Sequence, residues 1–204
     1  MKTGAVILCG GKSSRMGRDK AMLPFGPELM LQRVVRIVSQ VVDPASIVIV
    51  AANGQRLPEL PPSMIRVHDE KPDRGPLEGL AAGFRAIPAG IDAIYATSCD
   101  VPLIVPPFIS AMFELLGNFD IAVPTEGEYN HPLASVYRPH VLTTIDSLLA
   151  QDRLRPAFLF NEVPTARIPV EQLRKADPNL DSLLNLNHPE DYQTALNKAG
   201  FESQ

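Results

Sequence analysis

The segment at residues 8–20, LCGGKSSRMGRDK, constrains the fold more than any other part of the sequence. It follows the apolar run AVIL at residues 5–8, which has the composition of a buried β-strand. Three glycines and four basic side chains lie within the segment. A strand that leads directly into such a loop is typical of a phosphate-binding site, because glycines let backbone N–H groups approach an anion closely.

Strand-like and helix-like patterns alternate along the rest of the chain. The predicted strands are residues 5–8, 46–52, 64–69, 93–100, 120–125 and 133–138, and the predicted helices are residues 29–42, 76–87, 107–117, 140–151 and 189–200. This alternation predicts an α/β fold, a three-layer α/β/α sandwich with a mostly parallel central sheet. Ligands bind such sheets at the carboxyl ends of the strands. Residues 155–182 show no readable pattern.

Bulk composition excludes several kinds of partner. The chain has 204 residues, of which 45% are apolar, and a net charge of -4, which suits one domain over residues 1–204. No overall positive field would attract nucleic acid or an anionic membrane, and no apolar run approaches the roughly 18 residues of a membrane span. With no signal-peptide pattern and only two cysteines, Cys9 and Cys99, we expect a cytoplasmic protein without a disulfide framework.

Two common phosphate-binding loops do not fit the segment. The P-loop pattern G-x-x-x-x-G-K-[ST] has Gly11, Lys12 and Ser13 in place, but Val6 stands where the first glycine is required. The dinucleotide pattern G-x-G-x-x-G fails because Gly10 and Gly11 are adjacent. The segment instead resembles the signature L-x-G-G-x-S-x-R-M-G-x-D-K of GT-A-like nucleotidyltransferases.

Each residue type in this signature has a physical role. Gly10 and Gly11 let backbone N–H groups face a triphosphate, and Ser13 belongs to the same nucleotide-binding loop. Arg15 offers a planar fork of donors to phosphate oxygens. Lys20 supplies a positive charge for an α-phosphate that becomes more negative in the transition state. Arg15 and Lys20 are therefore candidate catalytic residues.

The phrase SCDVPL at residues 98–103 supplies a candidate metal ligand. Asp100 ends a predicted strand at the edge of the sheet where ligands bind. Magnesium prefers one or two carboxylates together with phosphate oxygens and water. We predict that Asp100 binds Mg²⁺ and takes part in catalysis. A cap for the following helix is an alternative role that could coexist with the first.

The stretch VHDEKPDRGPLEGLAAG at residues 67–83 predicts the base-binding part of the site. Asp69 ends its strand and could accept hydrogen bonds from guanine N1–H and N2–H₂. Glycines in the GPLEG turn would let this segment pack closely over a base. The predicted contacts in that turn are Gly75, Pro76, Leu77 and Gly79.

Five phrases, in this order, resemble the MobA family of molybdenum cofactor guanylyltransferases: LCGGKSSRMGRDKAMLPFG, GPLEGLAAG, SCDVPLI, NHPLASVYR and LLNLNHPEDY. The resemblance runs from residue 4 to residue 196. It implies a nucleotidyltransferase fold of the GT-A or Rossmann-like kind, with nucleotide bound mainly by residues 1–105 and acceptor by residues 106–204. It also implies transfer of GMP from GTP to the phosphate of molybdopterin, or of its molybdenum-loaded form, with Mg²⁺ bridging the phosphates.

The resemblance also implies particular contacts and partners. The nucleotide site would comprise Leu8, Cys9, Gly10, Gly11, Lys20, Asp69 and Asp100, with Asn53 near the base. The acceptor site would comprise Asn130, His131, Asn185 and Asn187. A protein that delivers the cofactor and an oxidoreductase that receives it are the implied protein partners.

Some alternatives stay open. Cytidylyltransferase relatives usually have L-A-A-G where this chain has L-C-G-G, so the second glycine favours guanine by analogy. A molybdopterin cytidylyltransferase, another sugar- or alcohol-phosphate nucleotidyltransferase, and a non-catalytic nucleotide-binding regulator are the other candidates. Cys9 and His188 depart from the usual alanine and threonine of the family. Cys9 and Cys99 each end a predicted strand, and we hypothesise that their oxidation impairs nucleotide binding.

Overall fold

A computed structural model describes residues 1–10, 19–69, 71 and 74–201 of the chain. Its strands are β1 (Thr3–Leu8), β2 (Pro24–Phe25), β3 (Glu28–Leu29), β4 (Ile47–Ala51), β5 (Ile65–His68), β6 (Ala93–Ser98), β7 (Ile121–Glu126), β8 (Tyr129–Asn130), β9 (Ser135–Tyr137) and β10 (Thr165–Pro169). Its α-helices are α1 (Met30–Val38), α2 (Pro76–Ala86), α3 (Pro106–Leu115), α4 (Leu142–Ala150), α5 (Pro156–Glu162) and α6 (Pro189–Lys198).

The central sheet is mostly parallel, as predicted. Its strand order is β10-β7-β9-β6-β1-β4-β5, and β8 pairs with β7. Strand β9 is antiparallel to both of its neighbours, and β8 is antiparallel to β7. The other pairs in the sheet are parallel. Strands β2 and β3 form a separate short hairpin.

Alternate side chains of β1 show why the fold has three layers. Ala5 and Ile7 face a core that they share with α1 and α3. Val6 and Leu8 face the opposite core, which they share with α2, α4 and α5. A strand that is buried on both faces must be apolar throughout, which explains its continuous hydrophobic run. The predicted α/β/α sandwich is confirmed.

Two glycines allow α2 to lie close over β1. A Cβ atom built on Gly83 would be 2.5 Å from a methyl carbon of Val6, so no larger residue fits without a shift. A Cβ on Gly79 would be 3.2 Å from Leu8 Cδ1. The close approach holds the first turn of α2 beside the carboxyl end of β1.

A third apolar cluster docks the C-terminal helix onto the β2–β3 hairpin. It consists of Leu23, Phe25, Met30, Leu103, Leu186, Ala195 and Leu196. The Arg33 guanidinium lies 4.9 Å from the ring centre of Phe25 and 5.5 Å from that of Phe201. This packing fixes the residues just before α6 against the carboxyl edge of the sheet.

Several elements differ from the prediction in length or were not predicted. Helix α1 ends at Val38 rather than at residue 42, and β9 spans only three residues because a 3₁₀ turn precedes it. The hairpin β2–β3 and strand β8 were not predicted, since strands of two residues are too short to show a period. Helix α5 and strand β10 lie within residues 155–182, where no pattern was readable. No helix in the described part of the chain is long and apolar enough to cross a membrane.

Candidate active site

A large cavity opens where the order of the strands in the sheet reverses, beside β1. The chain leaves β1 toward β4 on one side, and β6 lies on the other side of β1. This is the position at which open α/β sheets bind ligands. The cavity has a volume of about 750 Å³. Its wall is formed by Leu8, Cys9, Gly10, Lys20, Val50, Ala52, Asn53, Asp69, Gly75, Pro76, Gly79, Ser98, Cys99, Asp100, Leu133, Asn185 and Asn187.

Lys20 and Asp100 form an ion pair at one end of this cavity, which we call the phosphate end. Lys20 Nζ lies 2.8 Å from Asp100 Oδ2 and donates a second hydrogen bond to Asn187 Oδ1 at 3.0 Å. Asn185 Nδ2 lies 3.4 Å from Asp100 Oδ1. Both members of the pair are only partly accessible, with side chains 15% and 13% exposed. A hydrogen-bonded pair in such a setting is held in one geometry.

Local structure fixes both charged groups. Asp19 caps a 3₁₀ turn, Lys20–Met22, by accepting a hydrogen bond from the Ala21 backbone N–H at 3.0 Å. Ser98 Oγ donates to Asp100 Oδ1 at 2.5 Å. Asp100 does not cap the following helix, since Val105 is the N-cap of α3, so the alternative role for Asp100 is wrong.

The other end of the cavity, which we call the base end, contains Asp69. Asp69 directly follows β5 and is half-buried, and its Oδ1 accepts a hydrogen bond from the Lys71 N–H at 3.0 Å. Asn53 lies on the same wall and is exposed. Gly75 has φ +78° at the start of α2, a conformation that side-chain-bearing residues rarely adopt. Pro76 and Gly79 also lie on the wall, as the sequence predicts.

Not every predicted site residue reaches the cavity. The Leu77 side chain is fully buried beneath α2, on the helix face that also carries Leu80 and Phe84 toward the sheet. Asn130 lies on β8 and does not line the cavity wall, nor does His131, whose ring packs edge-on against Tyr129 at 4.8 Å. Burial lowers the pKa of His131. The predicted residues Gly11, Ser13 and Arg15 lie outside the described residues.

The two cysteines lie side by side, as expected. The register pairs Leu8 with Ser98, so Cys9 and Cys99 follow neighbouring strands. Both are buried and free of disulfide bonds. A hydrogen bond with Cys9 and burial raise the pKa of Cys99, so its thiol stays protonated at neutral pH.

Sequence reasoning missed Gln55 as a part of this site. Its side chain contacts Cys9, Asp19 and Ala52 behind the cavity wall. The only signal was its place in the loop NGQR after a strand at the ligand-binding edge. Such a position is shared by many solvated loop residues, so the pattern does not single out Gln55.

The donor set at the phosphate end fits a magnesium ion. Asp100 supplies a carboxylate, and Asn187 supplies an amide oxygen that contacts the same Lys20 ammonium, whereas Asn185 turns its amide nitrogen toward Asp100. Among the described residues, no three His, Cys, Asp or Glu side chains lie close enough to hold a metal ion alone. A metal held here would take most of its ligands from phosphate and water, which is the coordination that Mg²⁺ prefers.

Comparison with known proteins decides the family. The model of the MobA-like NTP transferase domain matches residues 5–165. The chain belongs to this family. A protein of Mycobacterium avium named "Probable molybdenum cofactor guanylyltransferase" is 40% identical over 156 residues, which cover 74% of this chain and 76% of that protein. A protein of the same name from Mycobacterium tuberculosis is 33% identical over 189 residues, or 90% and 91% of the two chains.

A solved structure shares the fold of this MobA-like chain. It is the molybdopterin-guanine dinucleotide biosynthesis protein A of Archaeoglobus fulgidus, with a TM-score of 0.76 and 20% sequence identity. The match covers 98% of this chain and 99% of that protein. The likeness confirms the expected nucleotidyltransferase fold.

Proposed function

We propose that the chain is a Mg²⁺-dependent molybdenum cofactor guanylyltransferase. It transfers GMP from GTP to the terminal phosphate of molybdopterin, or of its molybdenum-loaded form, and releases pyrophosphate. The observation that carries the proposal is the Lys20–Asp100 pair at the carboxyl edge of the sheet, in a chain whose family is one of NTP transferases. The names of the two mycobacterial relatives support the guanylyl group and the acceptor.

The reaction is an in-line displacement at phosphorus. An oxygen of the acceptor phosphate attacks the α-phosphorus of GTP, a new P–O bond forms, and the bond from the α-phosphorus to the bridging oxygen breaks. Negative charge increases on the α-phosphate oxygens and on the leaving pyrophosphate. Lys20 stabilises this charge because its ammonium is already held at the phosphate end of the cavity.

Asp100, with the amide oxygen of Asn187 close by, would hold the metal. When bound, Mg²⁺ supplies positive charge to phosphate oxygens and orients them. Lys20 would then donate to phosphate rather than to Asp100 Oδ2, since one carboxylate oxygen cannot serve both cations fully. The residues of the chain therefore bind and orient the substrates and neutralise the charge on the phosphates. No covalent enzyme intermediate is needed.

Asp69 supports guanine as the base. Among the described residues, only the Lys71 N–H donates to its carboxylate, and to Oδ1. Oδ2 is thus open to the N–H groups of guanine, which form two parallel donors that cytosine lacks.

Asn185 and Asn187 lie at the phosphate end, so we place the acceptor phosphate beside them, where it meets the α-phosphate of the nucleotide.

Calorimetric titration with GTP, CTP, ATP and NAD, each with Mg²⁺, tests this function first. Selective binding of GTP that is weakened in Lys20→Ala supports the guanylyltransferase. Preference for CTP would instead indicate a molybdopterin cytidylyltransferase, an enzyme of the same class whose product is the cytosine dinucleotide. Binding of GTP without transfer to molybdopterin would favour a regulator or a different phosphate acceptor and would overturn the proposal.

A further inference from the structure

Gln55 contacts the chain at both ends of the glycine-rich segment. Its Nε2 lies 3.1 Å from the carbonyl oxygen of Cys9, just before the segment. The same nitrogen lies 2.9 Å and 3.0 Å from the two carboxylate oxygens of Asp19, just after it. Its Oε1 accepts a hydrogen bond from the Ala52 N–H at 2.9 Å. One amide group therefore joins the ends of β1 and β4 to the residue that precedes Lys20.

Both N–H groups and the oxygen of the Gln55 amide have hydrogen-bond partners, so the orientation of the side chain is fixed. One N–H serves the Cys9 carbonyl, the other is shared by the Asp19 carboxylate, and the oxygen accepts from Ala52. The bond to Asp19 is charge-assisted and therefore stronger than a neutral one. The Gln55 side chain is half-buried, so water competes with it only in part.

The position of Asp19 affects that of Lys20, because the two residues belong to the same backbone turn. Asp19 Oδ1 accepts from the Ala21 N–H at 3.0 Å, and the Asp19 carbonyl accepts from the Met22 N–H at 3.1 Å. Lys20 is the first residue of the turn that these bonds hold. A shift of Asp19 would therefore move the base of the Lys20 side chain relative to Asp100.

We propose that Gln55 is a positioning residue for nucleotidyl transfer. It holds the two ends of the glycine-rich segment together and so sets the place of Lys20 at the phosphate end of the cavity. Gln55 is not part of the cavity wall, so it acts through Asp19 and Cys9 rather than on the substrate. The effect of Gln55 on catalysis rests on the proposed function, whereas its effect on the conformation of the turn does not.

Gln32 provides a matched control. Its amide also both accepts and donates hydrogen bonds. Oε1 accepts from the Leu29 N–H at 3.0 Å, and Nε2 donates to the Glu59 carbonyl at 2.9 Å. These bonds lie at the start of α1, outside the cavity wall. Gln32→Ala thus removes a similar side chain with similar bonds and leaves the phosphate end intact.

The experiment compares Gln55→Ala, Gln55→Glu and Gln32→Ala in the full chain. Amide hydrogen exchange of the peptide covering residues 19–23 reports on the turn itself, whatever reaction the protein catalyses. We expect faster exchange there in both Gln55 variants and no change in Gln32→Ala. We expect kcat for guanylyl transfer to fall about 10- to 100-fold in Gln55→Ala, since a misplacement of roughly 1 Å has that effect. The KM for GTP should change much less.

A double variant tests the pairing directly. Gln55→Glu places a second carboxylate against Asp19, and Asp19→Asn then supplies an amide that donates in the opposite direction. Partial recovery of kcat in the double variant, relative to Gln55→Glu alone, supports the contact. No recovery overturns it.

The outcomes separate this inference from the proposed function. Unchanged exchange in Gln55→Ala overturns the positioning role, even if the protein is a guanylyltransferase. Faster exchange with wild-type kcat overturns the catalytic part of the role. A wild-type protein that transfers no GMP overturns the proposed function, and the exchange data still decide whether Gln55 holds the segment.

Discussion

Asp100 and Asp69 stand at opposite ends of one cavity, and their surroundings differ. Both follow strands at the carboxyl edge of the sheet. Asp100 is buried, with 9% of the whole residue exposed, and its carboxylate contacts Lys20, Ser98 and Asn185. Asp69 is half-buried, and within the described residues its carboxylate accepts only from a backbone N–H. A carboxylate held by an ammonium and a hydroxyl suits phosphate and metal chemistry, whereas one with few partners among the described residues suits recognition of a base.

The largest expected effect tests the phosphate end. In the proposed mechanism, Lys20→Ala removes the positive charge from the transferring phosphate, and Asp100→Asn removes the carboxylate that would hold the metal. Each should lower kcat by about 10²- to 10³-fold, as the loss of one preorganised electrostatic group does. Steady-state kinetics of GMP transfer, with circular dichroism to confirm folding, measure this effect. Near wild-type turnover in either variant would contradict the role of this end.

A different kinetic signature is expected at the base end. Asp69→Asn should raise the KM for GTP about 5- to 100-fold, because the substitution removes the carboxylate that the proposed function assigns to the base, an effect of about 1–3 kcal/mol. The kcat at saturating GTP should change little. Comparison of KM values for GTP and ATP in both proteins measures the loss of base selectivity. If Asp69→Asn lowers kcat and leaves KM unchanged, the two ends are not functionally distinct.

The cysteine pair lies on the cavity wall beside the phosphate end and predicts a pH-dependent oxidation. Peroxide would convert the two thiols to a disulfide and release two water molecules. Because the pKa of Cys99 is raised, its thiolate fraction is small at neutral pH, so the reaction should be slow at pH 7 and faster at pH 9. GTP binding after peroxide treatment measures it. Loss that persists in a Cys9→Ser/Cys99→Ser double variant refutes the hypothesis.

The smallest effect concerns the segment that closes the phosphate end. The Asp191 carboxylate accepts backbone hydrogen bonds from His188 and Asn187, which lower its pKa. Such a group stabilises the fold above its unfolded pKa of about 3.9, and this contribution disappears as the pH falls through the lower folded value. Thermal unfolding of Asp191→Asn should show a weaker loss of stability below about pH 4 than the wild-type protein. Equal acid sensitivity would contradict it.

Periodicity and motif order predicted a large part of this molecule. The continuous apolar runs before Cys9 and before Ala52 form strands, and the helical pattern at residues 76–87 forms α2, because burial on both faces or on one face dictates those patterns. The loop after β1, with Asp100 after β6, predicted a shared ligand-binding edge. Ten of the predicted nucleotide contacts line the cavity: Leu8, Cys9, Gly10, Lys20, Asn53, Asp69, Gly75, Pro76, Gly79 and Asp100.

Other features could not be predicted because they depend on contacts between distant residues. Asn187 meets Lys20 across 167 positions of sequence, and it does so because α6 packs on the β2–β3 hairpin. Leu77 sits within a motif of the site, yet its place on the inner face of α2 puts its side chain in the core.

The sequence by itself determined the α/β alternation and the family. These properties reside in local patterns, since the period of hydrophobic residues and the spacing of glycines act over one element at a time. Only the tertiary structure decided that Asn185 and Asn187 lie against Asp100 and Lys20, and that Gln55 contacts residues 46 and 36 positions away. Those contacts follow from strand order and helix docking, which are set by the packing of the whole core rather than by any one segment.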